Sequence, residues 1–415
     1  MSTSPRGDDH AARRGSRHAP APAAADEAAA LAVLTGAGAG DLLAAALGTA
    51  ALPPGSWRVD AVHHRPGDGV TVGYAVQRAG VVEYLLASSS RSCPRDVPRT
   101  LVATGPAGDV VVWRHPDDPL LPALRRACDP ALLAPALAGS GPVTALDLVG
   151  YRPLRRAVVR AECDGVPWFV KVLRPADGNA ADVVARHRLL AAAGVPVPHV
   201  ARADDDGLVV LHALAGTPLL EALVAGADVP LDDVLAVVQA LPAATLDLPA
   251  RRPWSARAHS YGHALAVRPA LAERAQGLAD AVRRGLRRTD AGPVVPTHGD
   301  LHEGQLLVGA DARPTGLLDV DTVGPGHLVD DVACLLAHLR AVRPPTPELL
   351  AVAAAWTEQA GGFVDPDALR VRTAGVLLSL AAGALPADPA EPHDEAERLL
   401  TAAEELVGGV YASNR

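Results

Sequence analysis

Four polar residues near the ends of two short apolar segments have the chemistry of a metal-dependent site. The stretch THGDLHEGQLLV contains His298, Asp300 and Gln305, and the stretch TGLLDVD contains Asp319. The apolar pieces QLLV and TGLLDV are joined by a turn of Gly, Asp and Pro, which predicts a hairpin that brings Asp300 close to Asp319. Two carboxylates and an amide oxygen suit Mg²⁺, and one carboxylate can stay off the metal as a base.

The spacing of this loop is that of an ATP-dependent kinase, with one departure. Kinases use a His-x-Asp-x-x-x-x-Asn loop, in which the Asp takes the proton of the attacking hydroxyl and the Asn holds a magnesium ion. Here Gln305 stands at the position of the Asn. Because Gln has the same amide oxygen on one more methylene, a small backbone shift would preserve the ligand. We expect a working loop, and the alternative is a weak or inactive, nucleotide-binding pseudokinase.

The chain has a single lysine, Lys171, among 38 basic residues. It lies in the segment WFVKVLRP, whose apolar residues predict a strand. A compact ammonium suits a phosphate better than the planar, forked guanidinium of arginine does. The sequence therefore predicts that Lys171 contacts a phosphate.

Composition excludes several other function classes. A net charge of -9 gives no reason to expect nucleic acid or an anionic membrane as a partner. No apolar run approaches the length of a membrane span, and the amino terminus does not look like a signal peptide. Cys93, Cys128, Cys163 and Cys334 are far apart and follow no metal-ligand spacing. We expect a cytoplasmic protein with a small-molecule partner and no obligate protein partner.

The order of predicted elements indicates an α+β chain with strands first and helices after. Residues 1–27, rich in Pro, Ala and charge, are predicted to be a disordered tail. Residues 28–145 are predicted to form an amino-terminal α/β cap, with two Ala/Leu helices before short antiparallel strands. Residues 146–213 form a second strand group with one helix, and residues 214–415 are mainly helical.

The two strand groups have a similar plan. Both HRPGDGVTVGYAVQRAGVVEYLLAS and YRPLRRAVVRAECDGVPWFVKVLRP consist of Arg-Pro, a strand, a Gly turn and a strand. A duplicated hairpin is one interpretation of this pattern, and chance similarity between two hairpins is the other.

The stretch HGDLHEGQLLV…GLLDVDTVGPGHLVDDVACLLAHL resembles the aminoglycoside phosphotransferase and choline kinase family. That family has a protein-kinase-like fold, with a small β-rich lobe and a large helical lobe. Its pattern is close to H-G-D-x-H-x-x-N, an apolar strand, I-D-[WF]-[ED], a Gly-rich turn and D-[LV]-A. The resemblance implies that Asp300 is the catalytic base, His298 braces the loop, Asp319 and Asp321 bind metal, and Asp331 supports the loop.

The same resemblance extends to the nucleotide. It implies that Lys171 is the strand lysine that contacts phosphate, and that the backbone of His212, Ala213 and Leu214 holds adenine. The family's lysine pairs with a Glu on the next helix, and here the shorter Asp182 is the expected substitute. A G-x-G-x-x-G loop is absent from the sequence, and GYRPLRR is a weak replacement for it.

The expected reaction is transfer of the γ-phosphate of ATP, with Mg²⁺, to a hydroxyl of an aminoglycoside, a sugar or an amino alcohol. Maltokinases, which resemble this family, also carry H-G-D-x-H-x-G-Q and an additional amino-terminal domain, which keeps a sugar among the candidate acceptors. Beyond residue 291 acids outnumber arginines, which would suit a cationic acceptor. Aromatic residues make up only 3% of the chain, too few to favour an aromatic cage for choline.

A zinc metallohydrolase is the alternative from another class. His298, Asp300 and His302 would be its ligands. Hydrolases of the metallo-β-lactamase type use the order H-x-H-x-D-H, whereas the order here is H-x-D-x-H. The zinc hypothesis also leaves Lys171 without a role.

Overall fold

The computed structural model describes residues 22–65, 67–105, 108–137, 141–386 and 391–412. The predicted disordered tail lies partly outside this range, since residues 1–21 are not among the described residues. The rest of that segment belongs to a helix that begins at Pro22. Its sequence PAAADEAAALAVLT consists largely of strong helix formers, which explains why the helix starts before the predicted boundary.

The amino-terminal part of the chain, residues 22–137, is an α/β unit called the cap below. Its elements are α1 (Pro22–Thr35), α2 (Ala39–Ala46), β1 (Trp57–Arg65), β2 (Gly69–Arg78), β3 (Val81–Ser88), β4 (Thr100–Gly105), β5 (Gly108–Arg114), α3 (Leu124–Ala127) and α4 (Pro130–Leu133). The five strands form one antiparallel sheet in the order β1-β2-β3-β5-β4. Leu34 and Leu43 of the helices pack on Val72 and Tyr74 of the sheet.

The small lobe follows the cap and repeats its strand order. Its elements are β6 (Val143–Arg152), β7 (Arg156–Cys163), β8 (Val166–Leu173), α5 (Asn179–Ala192), β9 (Val200–Ala203) and β10 (Leu208–His212). The antiparallel order is β6-β7-β8-β10-β9, and α5 lies between β8 and β9 along the chain. Strand β6 begins at Val143, so the boundary predicted at residue 145 falls inside it.

The large lobe is mainly helical, as predicted. Its helices are α6 (Leu219–Val224), α7 (Leu231–Gln239), α8 (Ala258–Leu265), α9 (Pro269–Leu286), α10 (Leu328–Ala341), α11 (Pro347–Ala360), α12 (Pro366–Gly383) and α13 (Asp394–Ala412), and its short strands are β11 (Thr217–Pro218), β12 (Val295–Thr297), β13 (Leu306–Val308), β14 (Pro314–Leu317) and β15 (Gly324–Gly326). Buried residues lie all round α12, which makes it the central helix of this lobe. The α+β class and the two lobes are confirmed.

The predicted hairpin between QLLV and TGLLDV is also confirmed. Strands β13 and β14 pair antiparallel, with Leu306 opposite Leu317. Strand β12 pairs with β15, so Thr297 lies opposite Gly324. Both pairings bring the loop that follows Thr297 and the segment that follows Leu317 to the same end of the hairpin.

The cap holds the turn between β6 and β7 in place. Leu154 at the tip of this turn is fully buried against Leu86 and Trp113 of the cap. Asp118 Oδ2 accepts the Leu154 N–H at 2.8 Å and the Tyr151 hydroxyl at 2.7 Å. The turn of the small lobe is therefore part of the cap's core rather than a free loop.

A helix that spans a membrane must be both long and apolar. Among the described residues, no single helix is long and apolar enough to span a membrane. One pair, Asp26–Thr35 and Ala39–Ala46, meets the criterion jointly by length and composition, although the two helices meet at a 70° bend.

Replacing Leu154 with Ala should detach this turn from the cap. Loss of a fully buried Leu costs about 2–5 kcal/mol in unfolding free energy, and urea denaturation followed by circular dichroism measures it. Leu132→Ala is the control, because Leu132 is 48% exposed and should change stability by less than about 0.5 kcal/mol. Equal stabilities for the two variants would show that the cap does not anchor the turn.

Candidate active site

Asp331, in the first turn of α10, holds the loop that follows β12. Its two carboxylate oxygens accept the backbone N–H groups of His298 at 2.7 Å and Gly299 at 2.8 Å. Burial raises the pKa of Asp331 to about 7, although these two hydrogen bonds favour the charged form. Gly299 has φ +78°, and a Cβ there would lie 2.8 Å from the Thr322 carbonyl oxygen. Only glycine allows this approach without strain.

His298 connects the loop to the end of β14. The ring is fully buried, and its Nε2 lies 2.9 Å from the Leu318 carbonyl oxygen, to which it donates. The Thr322 hydroxyl donates to the His298 carbonyl at 2.8 Å. Burial lowers the pKa of His298, which keeps the ring neutral. The side chain braces two segments and is too deep to meet a substrate.

The carboxylate of Asp300 lies at the loop's accessible edge beside three residues of the large lobe. Trp254 donates its indole N–H to Asp300 Oδ1 at 2.7 Å, and an Arg251 nitrogen lies 3.5 Å from Oδ2. The guanidinium carbons of Arg251 and Arg257 lie 4.7 Å and 4.3 Å from the centroid of the Trp254 ring. These contacts hold the Asp300 carboxylate in one orientation.

The neighbours of Asp300 were missed in the sequence. Arg251, Trp254 and Arg257 come from the stretch ARRPWSAR, which joins three arginines and a tryptophan in a chain that has only five tryptophans. The clustering of these residues is visible in the sequence. Trp254 and Asp300 are 46 positions apart, however, so the sequence alone does not indicate their contact.

A cavity of about 260 Å³ lies against the loop that carries Asp300, although Asp300 itself does not line it. Arg251, Trp254 and His327 are among the side chains that line it, together with the backbone of Gly299. A larger cavity of about 510 Å³ lies between Val238 and Phe363 and is lined by none of the predicted site residues. The smaller cavity is lined by Gly299 and Asp331 and thus borders the loop.

Lys171 joins the two lobes through an ion triad with Asp319 and Asp321. Its Nζ donates to Asp319 Oδ1 at 2.7 Å and to Asp321 Oδ1 at 2.6 Å. Burial alone lowers the pKa of Lys171, but the charges of Asp321 and Asp319 raise it above its ordinary value. Burial alone raises the pKa of Asp319, but the charges of Lys171 and Arg156 and the hydrogen bond from Lys171 together outweigh it, so that the pKa falls well below its usual range.

The expected pairing of Lys171 with Asp182 is wrong. Asp182 lies in the first turn of α5 and is exposed. The partners of Lys171 are Asp319 and Asp321, because β8 points its lysine across the cleft at the end of β14 rather than toward α5. A second cation, Arg156 at the start of β7, lies 3.8 Å from Asp319 Oδ2.

The side chain of Gln305 contacts the carboxylate of Asp319, which belongs to this triad. Its amide nitrogen Nε2 donates to Asp319 Oδ2 at 3.5 Å, and Lys171 donates to the other oxygen of the same carboxylate. Asp319 has φ +49°, an uncommon conformation for a non-glycine residue that turns its carboxylate into the cleft. The side chain of Gln305 therefore lies beside Asp319 and Asp321, and carboxylate and amide groups of this kind can supply the oxygen ligands that a hard divalent cation such as Mg²⁺ prefers.

The segment predicted to hold adenine connects β10 to the large lobe. His212 is exposed, and its ring lies 4.4 Å from that of Trp168. Ala213 and Leu214 are half-buried. Nucleotide contact by their backbone groups stays a prediction.

The three residues predicted as zinc ligands, His298, Asp300 and His302, do not form a metal-ligand cluster among the described residues. His302, Glu303 and His338 have potential ligand atoms within 4.8 Å of one another, whereas His298 and Asp300 are outside this group. The Nε2 of His298 already donates a hydrogen bond to the Leu318 carbonyl oxygen.

Residues 150–372 match the model of the Phosphotransferase enzyme family. None of the curated proteins matches the chain.

Solved structures with a similar chain path include three phosphotransferases. A thermostable mutant of aminoglycoside phosphotransferase APH(4)-Ia, in a ternary complex with ADP and hygromycin B, is 16% identical, with a TM-score of 0.47, and covers 64% of this chain and 94% of its own. Macrolide 2'-phosphotransferase MphH from Brachybacterium faecium is 21% identical, with a TM-score of 0.39 and coverage of 66% and 96%. APH(3'')-Id from Streptomyces rimosus, in complex with ADP and streptomycin, is 20% identical, with a TM-score of 0.41 and coverage of 59% and 94%.

Asp331→Asn should loosen the loop that it supports. An amide has one accepting oxygen, so one of the N–H groups of His298 and Gly299 would face the NH₂ group and lose its partner. Leaving a buried N–H unpaired costs about 1–3 kcal/mol, measured by chemical denaturation. Asp311→Asn, in an exposed turn, is the matched control. If both variants unfold at the wild-type denaturant concentration, Asp331 does not support the loop.

Proposed function

Because the chain belongs to the Phosphotransferase enzyme family, we propose that it transfers the γ-phosphate of ATP to a hydroxyl group of a small molecule. The observation that supports this proposal is that the loop of Asp300 and the segment of the Lys171–Asp319–Asp321 triad lie at the same end of the β13–β14 hairpin. One carboxylate is available to a hydroxyl, and two others are available to a cation.

The metal and phosphate contacts follow from the charges in the cleft. Asp319, Asp321 and Gln305 would hold Mg²⁺, which when bound neutralises negative charge on the nucleotide phosphates. Lys171 then turns its ammonium from the carboxylates to a phosphate oxygen. Arg156, 3.8 Å from Asp319, adds positive charge on the same side.

Asp300 acts as the general base in this proposal. The acceptor oxygen attacks the γ-phosphorus, its proton passes to the Asp300 carboxylate, and the bond to the ADP oxygen breaks. The Trp254 N–H on Oδ1 fixes the carboxylate, so that Oδ2 is directed to the hydroxyl. His298 and Asp331 hold the backbone that presents it.

The neighbours of Asp300 bear on the acceptor class. The cationic acceptor that the acidic carboxyl-terminal region suggested would meet Arg251, 3.5 Å from Asp300, and Arg257 beside Trp254. These guanidinium groups favour a neutral, hydroxyl-rich acceptor such as a sugar over a polycation. A panel of sugars, aminoglycosides and amino alcohols, with ADP release measured and the phosphate ester identified by ³¹P NMR, tests this. Nucleotide binding without transfer to any acceptor would favour the pseudokinase alternative.

Asp300→Asn and Asp319→Asn should fail in different ways. Without its base the Asp300 variant should bind Mg·ATP normally and lose about 10²–10⁴-fold in turnover. The Asp319 variant should require more Mg²⁺, because a metal ligand is lost. Turnover and AMP-PNP affinity, each titrated with Mg²⁺, separate the two effects. Near-normal turnover in both variants would rule out the proposed roles, and Asp311→Asn controls for loss of a surface charge.

Lys171→Ala should weaken Mg·AMP-PNP binding by about tenfold or more, and Lys171→Arg should not restore it, since a planar fork cannot replace a compact ammonium. Isothermal titration calorimetry measures both affinities. Arg160→Ala, on the adjacent strand β7, removes an exposed cation and should bind like wild type. Wild-type affinity in Lys171→Ala would remove the lysine from the phosphate site.

A further inference from the structure

The ring of His302 is held on three sides within the loop. The backbone N–H of Gly304 donates to His302 Nδ1 at 3.1 Å. His302 Nε2 lies 2.9 Å from the terminal amide of Gln305. The ring stacks on His338 with 4.5 Å between centroids and 10° between planes. These contacts leave the imidazole one orientation, so the roles of its two nitrogens can be assigned.

The contact with Gly304 determines which nitrogen carries the proton. A backbone N–H can only donate, so Nδ1 must offer a lone pair and is unprotonated. A protonated imidazolium, which carries a hydrogen on both nitrogens, is excluded for the same reason. The ring is therefore the neutral tautomer with its hydrogen on Nε2.

The tautomer of His302 determines the orientation of the Gln305 amide. The structure places the amide nitrogen Nε2 of Gln305 at this contact. Since His302 Nε2–H is a donor, the group that faces it must accept, which requires the two ends of the amide to be exchanged, so that the carbonyl oxygen Oε1 takes this position. The oxygen and nitrogen of an amide are assigned from their hydrogen-bonding partners, and here the partners require this orientation. The same position lies 3.5 Å from Asp319 Oδ2. Two oxygens with negative charge density therefore face each other.

Two such oxygens suit a shared cation. Neighbouring ligands of an octahedral Mg²⁺, each at about 2.1 Å, lie about 3 Å apart, so the observed separation needs only a small closure. With the opposite amide orientation, the NH₂ group would donate to Asp319 and no amide oxygen would face the metal. The direction of the amide thus decides whether Gln305 is a ligand.

We infer that His302 is a positioning residue whose Nε2–H turns the carbonyl oxygen of Gln305 toward the metal site beside Asp319. This inference rests on the proposed function. It explains how Gln takes the place of Asn in this loop: the longer side chain is fixed at its end by a hydrogen bond. His302 itself touches neither metal nor substrate.

A metal ion held directly by His302, Glu303 and His338 is a weaker interpretation of the same cluster. A metal lies close to the plane of each imidazole that binds it, along the nitrogen lone pair. The planes of His302 and His338 are nearly parallel and face each other, so one ion cannot lie in both. The stack instead holds the His302 ring in place.

Two substitutions separate the two contacts of the ring. His302→Asn keeps an acceptor near the Nδ1 position for the Gly304 N–H and removes the donor to Gln305. His302→Gln places an amide N–H near the Nε2 position and keeps that donor. Mn²⁺ replaces Mg²⁺ as the probe, and electron paramagnetic resonance measures its affinity for the protein complexed with AMP-PNP, so that the readout needs no turnover.

We expect His302→Asn to weaken Mn²⁺ binding by about 10–100-fold, as loss of an outer-shell partner does, and His302→Gln to bind within about threefold of wild type. Thermal unfolding of both variants shows that the fold is retained. Wild-type Mn²⁺ affinity in His302→Asn would overturn the inference alone. Failure of the wild-type complex to bind Mn²⁺ would overturn the proposed function as well.

A second measurement tests the tautomer directly. ¹⁵N NMR of the imidazole groups, with His302 assigned by its absence in His302→Gln, should show an unprotonated Nδ1 and a protonated Nε2. A protonated Nδ1 would contradict the inference, because Gly304 could not then donate to it.

Discussion

The buried ion triad of Lys171, Asp319 and Asp321 is the constraint on which the site depends. It joins β8 of the small lobe to the end of β14 in the large lobe, across 148 and 150 residues of sequence. Two carboxylates this close together, and largely removed from water, need a cation nearby. In this structure the lysine supplies it. In the proposed function a divalent cation would replace the lysine there, which would free the ammonium for a phosphate and link metal binding to nucleotide binding.

The cap contributes to the same site indirectly, through the turn between β6 and β7. It fixes Leu154 and, through Asp118, the backbone of the turn between β6 and β7. Arg156 follows directly on this turn and reaches within 4.0 Å of both Asp319 and Asp321. A glycine-rich loop covers the phosphates in protein kinases, whereas this chain has a short turn that carries arginines and packs against the cap. Its position is therefore set by packing rather than by flexibility.

The parts of the site that are local in sequence were predictable. The spacing of His298, Asp300 and Gln305 and the apolar pieces of the β13–β14 hairpin identified the loop, and the single lysine identified Lys171. The long-range partners were not predictable. Asp182 was chosen by nearness along the chain, but the direction in which β8 presents its lysine decides the pairing. The Trp254 contact to Asp300 and the burial of Leu154 depend on packing between segments that no periodicity relates. The orientation of Gln305 depends on single hydrogen bonds, which only coordinates reveal.

The central claim is that Lys171 exchanges its carboxylate partners for a phosphate when a metal ion binds. A crystal structure of the chain with Mg²⁺ and AMP-PNP tests this claim most directly. The account predicts that Lys171 Nζ lies within hydrogen-bonding distance of a phosphate oxygen and that Mg²⁺ contacts Asp319 Oδ2 and an oxygen of Gln305. A complex in which the nucleotide is bound while Lys171 still bridges Asp319 and Asp321, with no metal on either carboxylate, would contradict it.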